Sequence, residues 1–132
     1  MYTTVEEARK FFTEDKYATD CCDVKIDKAE DGFAACSFKV LPKHLNADGF
    51  VMGGAIYTIA DLCFACAANF GEKRTVTLNS QINFFAPSSG KEIFATAKAK
   101  KRGKTVSVYE VEITDDNEKV IAYAVFTGYT KA

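Results

Sequence analysis

The chain has 132 residues, of which 48% are hydrophobic, and this is enough for one domain with a full apolar core. Its formal net charge of −1 argues against bulk nucleic-acid binding, which needs a basic surface. The five cysteines are an odd number, and the first twelve residues contain early acidic side chains and no long apolar segment. We therefore expect one domain over residues 1–132, with no signal peptide and with free thiols, in the reducing cytoplasm.

The first part of the chain is predicted to form a short helix and two strands. Thr4 precedes a helical stripe of apolar residues, and Glu7 follows three residues later, as in a capping box. We expect this helix to pack over a sheet edge. From Asp20 apolar residues alternate with charged ones, as in a half-buried strand, and Gly32 marks the turn into a returning strand at Phe33–Val40.

A loop over residues 41–52 leads into a predicted helix at Gly54–Phe70, which is apolar on all sides and has an end signal at Asn69 and Gly71. Such a helix is either buried at the centre of a domain or inserted in a membrane. Its small residues and Asp61 weaken the membrane interpretation. The strands that follow favour a sheet wrapped around this helix.

The last part of the chain is predicted to form an antiparallel meander with turns at Arg102-Gly103 and at residues 115–118. The predicted strands are Thr75–Phe85, Glu92–Lys101, Lys104–Thr114 and Val120–Thr130. In the first of them the alternation puts Val76, Leu78, Ser80, Ile82 and Phe84 on one face, and Thr77, Asn79, Gln81 and Asn83 on the other.

Asp61 is the only charged residue between Asp48 and Glu72, in a run that is otherwise apolar, small or glycine. A carboxylate in such a run costs stability unless it is solvated, paired or used in chemistry, although structural ion pairs do the same. Gly53 and Gly54 lie about two helical turns earlier and can offer bare backbone N–H groups. Asp61 is therefore the first candidate for a catalytic residue.

Cys63 and Cys66 form a C-x-x-C pair inside the central helix. A zinc site needs about four ligands and the chain has one histidine, and thioredoxin-like motifs open a helix after a strand. We therefore predict no metal site and no redox role. Cys21, Cys22 and Cys36 are expected to fill small core positions.

The order and spacing of these residues resemble one known family. The run His44-x-Asn46-x-x-Gly49-x-x-Met52-Gly53-Gly54, followed by Asp61, is similar to that of hot-dog-fold acyl-CoA thioesterases of the phenylacetyl-CoA thioesterase type. The similarity spans roughly the whole domain and includes Phe85-Ala86-Pro87 and Arg102-Gly103-Lys104. It implies an α+β hot-dog fold, in which an antiparallel sheet wraps around a long central helix, and hydrolysis of acyl-CoA to free acid and coenzyme A.

The resemblance implies that Gly53 donates its backbone N–H to the oxyanion and that Asp61 is a general base or a nucleophile, two roles that it does not separate. Asn46 and Thr77 match polar positions near the water and the carboxylate. Their ordinary roles, as a turn former and as a strand residue, stay open. Gly54 is expected to contact the substrate at the same helix start.

Met52 stands where the family usually has His or Gln, and a thioether cannot donate a strong hydrogen bond to a thioester carbonyl. It is expected to line the acyl pocket instead. His44 is expected either at the substrate or as a structural loop residue. Met52 therefore leaves one alternative function, a non-catalytic protein of the same fold that binds acyl-CoA or another small ligand. His44 leaves a second alternative, a hydratase or dehydratase.

The acyl group is not specified by the sequence. Five aromatic residues suit either an aromatic-acyl pocket or a core, namely Phe50, Tyr57, Phe64, Phe84 and Phe85.

The spacing of Gly53 and Asp61 along the central helix predicts that the chain forms an oligomer. Eight residues of helix separate Asp61 from Gly53 by about 12 Å, whereas catalytic groups must lie within about 3 Å of the reacting atoms. Two antiparallel helices from two subunits can place Asp61 of one subunit opposite Gly53 of the other. We therefore predict an obligate dimer with two shared sites, and the resemblance implies tetramers.

Lys101, Arg102 and Lys104, with Lys98 and Lys100 before them, make one hairpin basic. Such charges discourage pairing of sheet edges, or they bind the phosphates of coenzyme A as the resemblance implies. No separate cofactor is expected, because coenzyme A is part of the substrate. The expected partners are acyl-CoA and further copies of the chain, with no nucleic acid and no membrane.

Overall fold

In the computed structural model, which describes residues 1–131, the chain forms two α-helices and six strands. The helices are α1 (Val5–Phe12) and α2 (Gly53–Ala68), and the strands are β1 (Lys25–Glu30), β2 (Phe33–Lys39), β3 (Thr75–Phe84), β4 (Glu92–Arg102), β5 (Val106–Asp115) and β6 (Val120–Thr130). All strands join one antiparallel sheet in the order β1-β2-β4-β5-β6-β3. The helix α2 packs against this sheet, mostly over β2 and β4. The predicted α+β architecture is therefore confirmed.

The helix α1 begins as the sequence predicts and packs on the edge strand β1. The Thr4 hydroxyl accepts a hydrogen bond from the Glu7 N–H at 3.1 Å. The Glu7 carboxylate reaches back to the Thr3 N–H at 2.9 Å, one residue earlier than in a standard capping box. Arg9 joins the helix to the sheet, because its Nε donates to the Ile26 carbonyl at 2.8 Å.

The strand β1 begins later than predicted, at Lys25 instead of near Asp20. Residues Tyr17–Cys21 form a single π-helical turn, which ends near Asp23 in the left-handed region at φ +56°. Extended pairing cannot pass through that conformation. The expected core positions are correct for Cys22 and Cys36, which are buried, and wrong for Cys21, which is exposed.

The helix α2 is buried on all sides but one. Its buried residues are Ala55, Ile56, Ile59, Ala60, Leu62, Cys63, Phe64, Cys66, Ala67 and Ala68. Phe64 stacks on Phe126 of β6 with ring centroids 4.8 Å apart, which fixes the rotation of the helix. The helix ends at Ala68, two residues short of the predicted Phe70, and is followed by its C-cap Asn69 and by Gly71 (φ +85°). Neither helix in the described chain is both long and apolar enough to cross a membrane.

An open strip remains on α2, formed by Gly54, Tyr57, Thr58, Asp61 and Ala65, which are exposed or half-buried. We call this strip the open face of α2. Its residues recur every three or four positions, so they share one side of the helix. The prediction of a helix enclosed on every side is therefore wrong for this side.

The strand β3 carries a bulge that the alternation does not predict. Thr77 pairs with Gly128 and Asn79 with Thr127, so Leu78 has no partner in the register. Ser80 pairs with Phe126, which is buried. Because cross-strand partners share a face, Thr77 lies on the same face as Ser80, and the predicted grouping of Thr77 with Asn79 is wrong.

The remaining predicted strands agree with the structure to within two residues. The hairpin between β4 and β5 turns where expected, and the Gly103 N–H donates to the Val106 carbonyl at 3.0 Å. A Cβ on Gly103 would stand 2.4 Å from that oxygen, so only glycine fits. The last turn is held by Asp115, whose Oδ1 accepts from the N–H groups of Asn117 and Lys119 at 3.0 and 3.2 Å.

Candidate active site

The loop before α2 is shaped by Asn46. Its side-chain Oδ1 accepts hydrogen bonds from the N–H groups of Asp48 and Phe50, both at 3.0 Å. Gly49 lies between them with φ +86°, a conformation that favours glycine. Because Oδ1 is occupied by the loop, the other end of the amide, Nδ2, has no acceptor in the described chain and is a free donor.

The helix α2 begins at Gly53 with unpaired backbone donors. The Met52 carbonyl accepts from the N–H groups of Ala55 and Ile56 at 3.0 and 3.1 Å, which closes the first turn. The N–H groups of Gly53 and Gly54 have no acceptor in the part of the chain that the structure describes, and no side chain caps the helix. Donors at the positive end of a helix dipole stabilise a negative charge.

An aromatic cleft of about 330 Å³ lies beside Gly53. The Phe84 ring is so near that a Cβ on Gly53 would stand 3.4 Å from its Cζ atom. Asn46 lines the same cleft, so the structure brings Asn46 and Gly53 together. Phe50, Phe84 and Phe85 are exposed here, while Phe64 lies in the core. Three of the five aromatic candidates therefore surround the helix start.

Asp61 lies two turns further along, on the open face of α2. It lines a second cleft of about 460 Å³ with Asp15, Tyr17, Tyr57 and Leu62 among its neighbours. Desolvation of the carboxyl, and then the negative charge of Asp15, raise the pKa of Asp61. A raised pKa makes a carboxylate a better proton acceptor.

Gly53 and Asp61 face two separate clefts within one subunit. The eight-residue separation corresponds to about 12 Å along the helix. One copy of the chain therefore does not bring the two expected catalytic groups to a single reacting atom.

Thr77 lies on the exposed strand β3, on the face that looks toward α2, and it lines neither of these two clefts. Within one subunit the structure does not bring Thr77 to Asp61 or Gly53.

His44 lies inside the protein, with 2% of its surface exposed. Its Nδ1 accepts from the Leu41 N–H at 2.9 Å, and its Nε2 lies 2.8 Å from the Cys22 carbonyl. Since Nδ1 is an acceptor, Nε2 is the ring nitrogen that carries the proton and donates it. Both ring nitrogens are engaged, so neither is free to bind a substrate in this structure. The same burial counts against a hydratase that would use it as a base.

Met52 and Gly54 frame the helix start. Met52 is 53% exposed and lies directly before the helix, where it is free to contact a ligand. A Cβ on Gly54 would meet no atom within 4 Å, so close packing inside the subunit does not explain this glycine.

The basic hairpin borders a third cleft, of about 560 Å³, near the C-terminal end of α2. Arg102 and Lys104 line it together with Lys73, whereas Lys101 does not. Asp31 forms ion pairs with both Arg102 and Lys73 through the same oxygen atom. The hairpin is thus part of a larger basic cleft that already holds one carboxylate.

The C-x-x-C pair is part of the core. The Cys63 thiol donates to the Ala34 carbonyl at 3.3 Å. Burial raises the pKa of the Cys66 thiol to about 12. Metal binding and thiol exchange need the thiolate, which is disfavoured here. The described residues also contain no group of three or more His, Cys, Asp or Glu side chains that could hold a metal ion.

Two features near the clefts were not predicted. Asp15 comes from the segment after α1, and no sequence signal connects it to Asp61. The Tyr57 hydroxyl lies 2.7 Å from the Ser80 hydroxyl, which joins α2 to β3. Tyr57 stands one helical turn before Asp61, so the spacing of the helix could have placed it on the same face.

Comparison with known proteins places the fold and the family. The model described as "Thioesterase superfamily" matches residues 48–122. The acyl-coenzyme A thioesterase PaaI of Escherichia coli (strain K12) is 31% identical over 111 residues, which cover 80% of this chain and 79% of that protein. The structure of the E. coli PaaI protein from the phenylacetic acid degradation operon superposes with a TM-score of 0.88 and 24% identity, over 97% of this chain and 94% of that one.

A second solved structure, smu.793 of Streptococcus mutans UA159 bound to acetyl CoA, has a TM-score of 0.77 and 25% identity, over 83% of this chain and 89% of that one. The architecture is therefore the hot-dog fold, as the resemblance implied. The chain belongs to the thioesterase superfamily, and within it the chain is PaaI-like.

Proposed function

We propose that the protein hydrolyses acyl-CoA thioesters to the free acid and coenzyme A. The observation that carries this proposal is Gly53, which has an unpaired N–H and lines an aromatic cleft, on the same helix as a partly desolvated carboxylate, Asp61. The similarity to the E. coli acyl-coenzyme A thioesterase supports the same reaction. The relative that was solved with acetyl CoA bound supports coenzyme A as the carrier group.

In this mechanism the thioester carbonyl oxygen accepts a hydrogen bond from Gly53, which stabilises the charge that develops when the carbon is attacked. Asp61 removes a proton from the attacking water, and the C–S bond then breaks as the coenzyme A sulfur takes up a proton. In the other route Asp61 attacks the carbonyl carbon, the C–S bond breaks, and coenzyme A leaves as its sulfur takes up a proton; water then hydrolyses the mixed anhydride to the free acid and restores Asp61. The free Asn46 Nδ2 group can hold the water or the carbonyl in either route.

Each site is formed by two subunits, with Gly53 from one and Asp61 from the other. Two observations support this assembly. The open face of α2 leaves Asp61 uncovered in a helix that is otherwise buried. The edge strand β3 exposes 55% of Val76 and 63% of Leu78, which is unusual for apolar side chains unless a partner covers them. We propose an obligate dimer, and further pairing of dimers to tetramers.

The basic cleft is proposed to bind the phosphates of coenzyme A through Arg102, Lys104 and Lys73, with Lys101 at its margin. Planar guanidinium groups suit phosphate oxygens, although the Asp31 ion pair must give way for a phosphate to reach Arg102. Coenzyme A enters only as part of the substrate, so the proposal includes no separate cofactor.

The test is release of free thiol from a panel of acyl-CoA esters with short, medium, branched and aromatic acyl groups. We expect Asp61→Asn to lower kcat by about a hundredfold or more, the scale of lost acid–base catalysis. The control is Asp20→Asn, an exposed carboxylate with no ion pair in the described chain, which should keep full activity. Unchanged kcat in Asp61→Asn would contradict the assignment.

Met52 favours a second candidate, an acyl-CoA binding protein without turnover. Met52 is exposed and directly precedes Gly53, but a thioether cannot add a second strong donor to the oxyanion. This candidate predicts that the native dimer binds coenzyme A esters in calorimetry and releases no thiol from any of them.

A further inference from the structure

The orientation of the Gly53 N–H depends on the residue before it. The Gly53 nitrogen and the Met52 carbonyl belong to one planar peptide unit, so fixing the carbonyl also fixes the N–H. On the helix side, the Met52 carbonyl accepts from the N–H groups of Ala55 and Ile56. On the loop side, the Met52 N–H donates to the His44 carbonyl at 2.8 Å. Met52 is therefore held at both ends by backbone hydrogen bonds.

His44 is itself fixed from several directions. Its ring nitrogens join the Leu41 N–H and the Cys22 carbonyl, and its ring packs on Phe38 with centroids 4.3 Å apart. Its own N–H donates to the Leu41 carbonyl at 2.9 Å. Cys22 and Phe38 belong to the buried core, so the imidazole anchors the loop to the most rigid part of the fold.

Among the loop side chains that the structure describes, His44 is the one that hydrogen-bonds to a core residue, while Val51 packs into the core and Lys43 pairs with Asp23 at 2.9 Å. Beyond His44, the loop is held by the bridge between Leu45 and Val51 and by the internal hydrogen bonds of Asn46. These contacts shape the loop but stay within it. The Val51 N–H adds one bond outward, to the Ser88 carbonyl at 2.9 Å. The imidazole is therefore the hydrogen-bonded side-chain connection between the core and the loop before α2, beside the apolar packing of Val51.

We propose that His44 is a positioning residue, which aims the Gly53 N–H at the oxyanion by holding the Met52 backbone. The inference rests on the proposed role of Gly53 in thioester hydrolysis. His44 touches neither substrate nor reacting atoms, and it acts through Met52. Oxyanion stabilisation is sensitive to such positioning, because a displacement of about 1 Å can cost about a hundredfold in rate.

The test compares His44→Ala with His44→Gln. Alanine removes both ring contacts, whereas the glutamine amide offers one acceptor and one donor and can restore them. We expect His44→Ala to lower kcat at least about tenfold with little change in KM, since only the transition state needs the oriented donor. We expect His44→Gln to recover most of that loss.

Loss of stability also lowers activity, so a control variant must separate a destabilised fold from the loss of positioning. The control is Ile113→Val, which leaves a small cavity at a fully buried residue of strand β5 and lowers the unfolding temperature without touching the loop. Its kcat should match the native value at temperatures where all variants are folded. If His44→Ala also keeps the native kcat there, or if Ile113→Val loses as much, His44 is only structural and the proposal is overturned.

A ligand that mimics the oxyanion separates this proposal from the proposed function. The probe is a coenzyme A derivative with a trifluoromethyl ketone in place of the thioester, compared with coenzyme A itself. We expect the native protein to bind the ketone more tightly, and His44→Ala to lose at least about tenfold of that preference while its affinity for coenzyme A stays unchanged. A native preference that His44→Ala keeps would overturn the positioning role, and a native protein with no preference would overturn Gly53 as oxyanion donor.

Discussion

At the scale of single residues, the structure separates the side chains that can act from those that only support them. Asp61 and Asn46 present free polar atoms at clefts, whereas His44 and Cys63 have their polar atoms engaged inside the fold. The motif alone does not make this distinction, because a histidine in a loop and a histidine in a core can have the same sequence neighbours. The difference comes from burial, which depends on the whole fold.

The pH dependence of kcat/KM is expected to depend on Asp15, the charged neighbour of Asp61. The negative charge of Asp15 helps to raise the pKa of Asp61, although desolvation is the larger cause. A base acts in its ionised form, so kcat/KM falls as the pH drops through this raised pKa. Removal of the Asp15 charge lowers the pKa of Asp61. We therefore expect Asp15→Asn to shift the acid limb of kcat/KM to lower pH.

The measurement is kcat/KM across the acid range for the native protein, Asp15→Asn and Asp20→Asn. Lys16 lines the same cleft but pairs with Glu14 at 3.4 Å, so it does not cancel the Asp15 charge. Asp20→Asn should leave the acid limb of the kcat/KM profile at the same pH as in the native protein. A limb that stays in place in Asp15→Asn, or moves to higher pH, would contradict this electrostatic account.

Among the helices and strands, the two edge strands of the sheet differ in their exposure to solvent. The edge strand β1 is short, rich in charged residues and covered by α1. The edge strand β3 has ten residues, and its side chains are exposed along most of its length. A long, apolar, uncovered edge is a template for another strand, and natural proteins leave one only where a partner pairs with it. The edge at β3 is therefore the expected subunit contact.

A charge on this edge should separate the subunits. We expect Leu78→Lys to give a folded monomer in sedimentation and to abolish thiol release, because each site needs both subunits. The matched control is Val120→Lys, which places a lysine at another exposed apolar residue, at the start of β6. It should remain a dimer and keep its activity. A Leu78→Lys monomer that hydrolyses thioesters at the native rate would contradict the shared site.

The sequence predicts elements best where local signals are sufficient. The limits of β6 agree with the prediction, and Asn69 and Gly71 mark the end of α2 to within two residues. The start of β1 is not predicted, because the alternation continues through a π-helical turn. The bulge at Leu78 is not predicted either, because it exists only relative to the pairing with β6.

For the candidate site too, the sequence predicts the residues that are joined by a local motif and misses those that only the fold brings together. Asn46 and Gly53 are close in sequence, and their shared cleft follows from a local loop motif. Asp15 and the Tyr57–Ser80 pair come from distant segments, so only the fold brings them near Asp61. The anchoring of His44 to Cys22 is also long-range, which explains why the sequence left its role open.

For the molecule as a whole, the proposed function means that neither subunit holds a complete site. Gly53 and Asp61 face different clefts, and the helix that carries both is open along the side where a second copy can lie. An antiparallel pair of these helices generates two identical sites by symmetry, as in a closed two-fold dimer. Loss of one group from one subunit then damages one site and leaves the other intact.

Complementation between two inactive variants shows whether each site is shared by two subunits. Asp61→Asn lacks the base, and Gly53→Val places methyl groups where the carbonyl must approach, next to the Phe84 ring. When equal amounts are unfolded and refolded together, half of the dimers are mixed and each mixed dimer has one intact site, so we expect about a quarter of the native activity. If the mixture is no more active than the two variants alone, each site lies within one subunit and the account is contradicted.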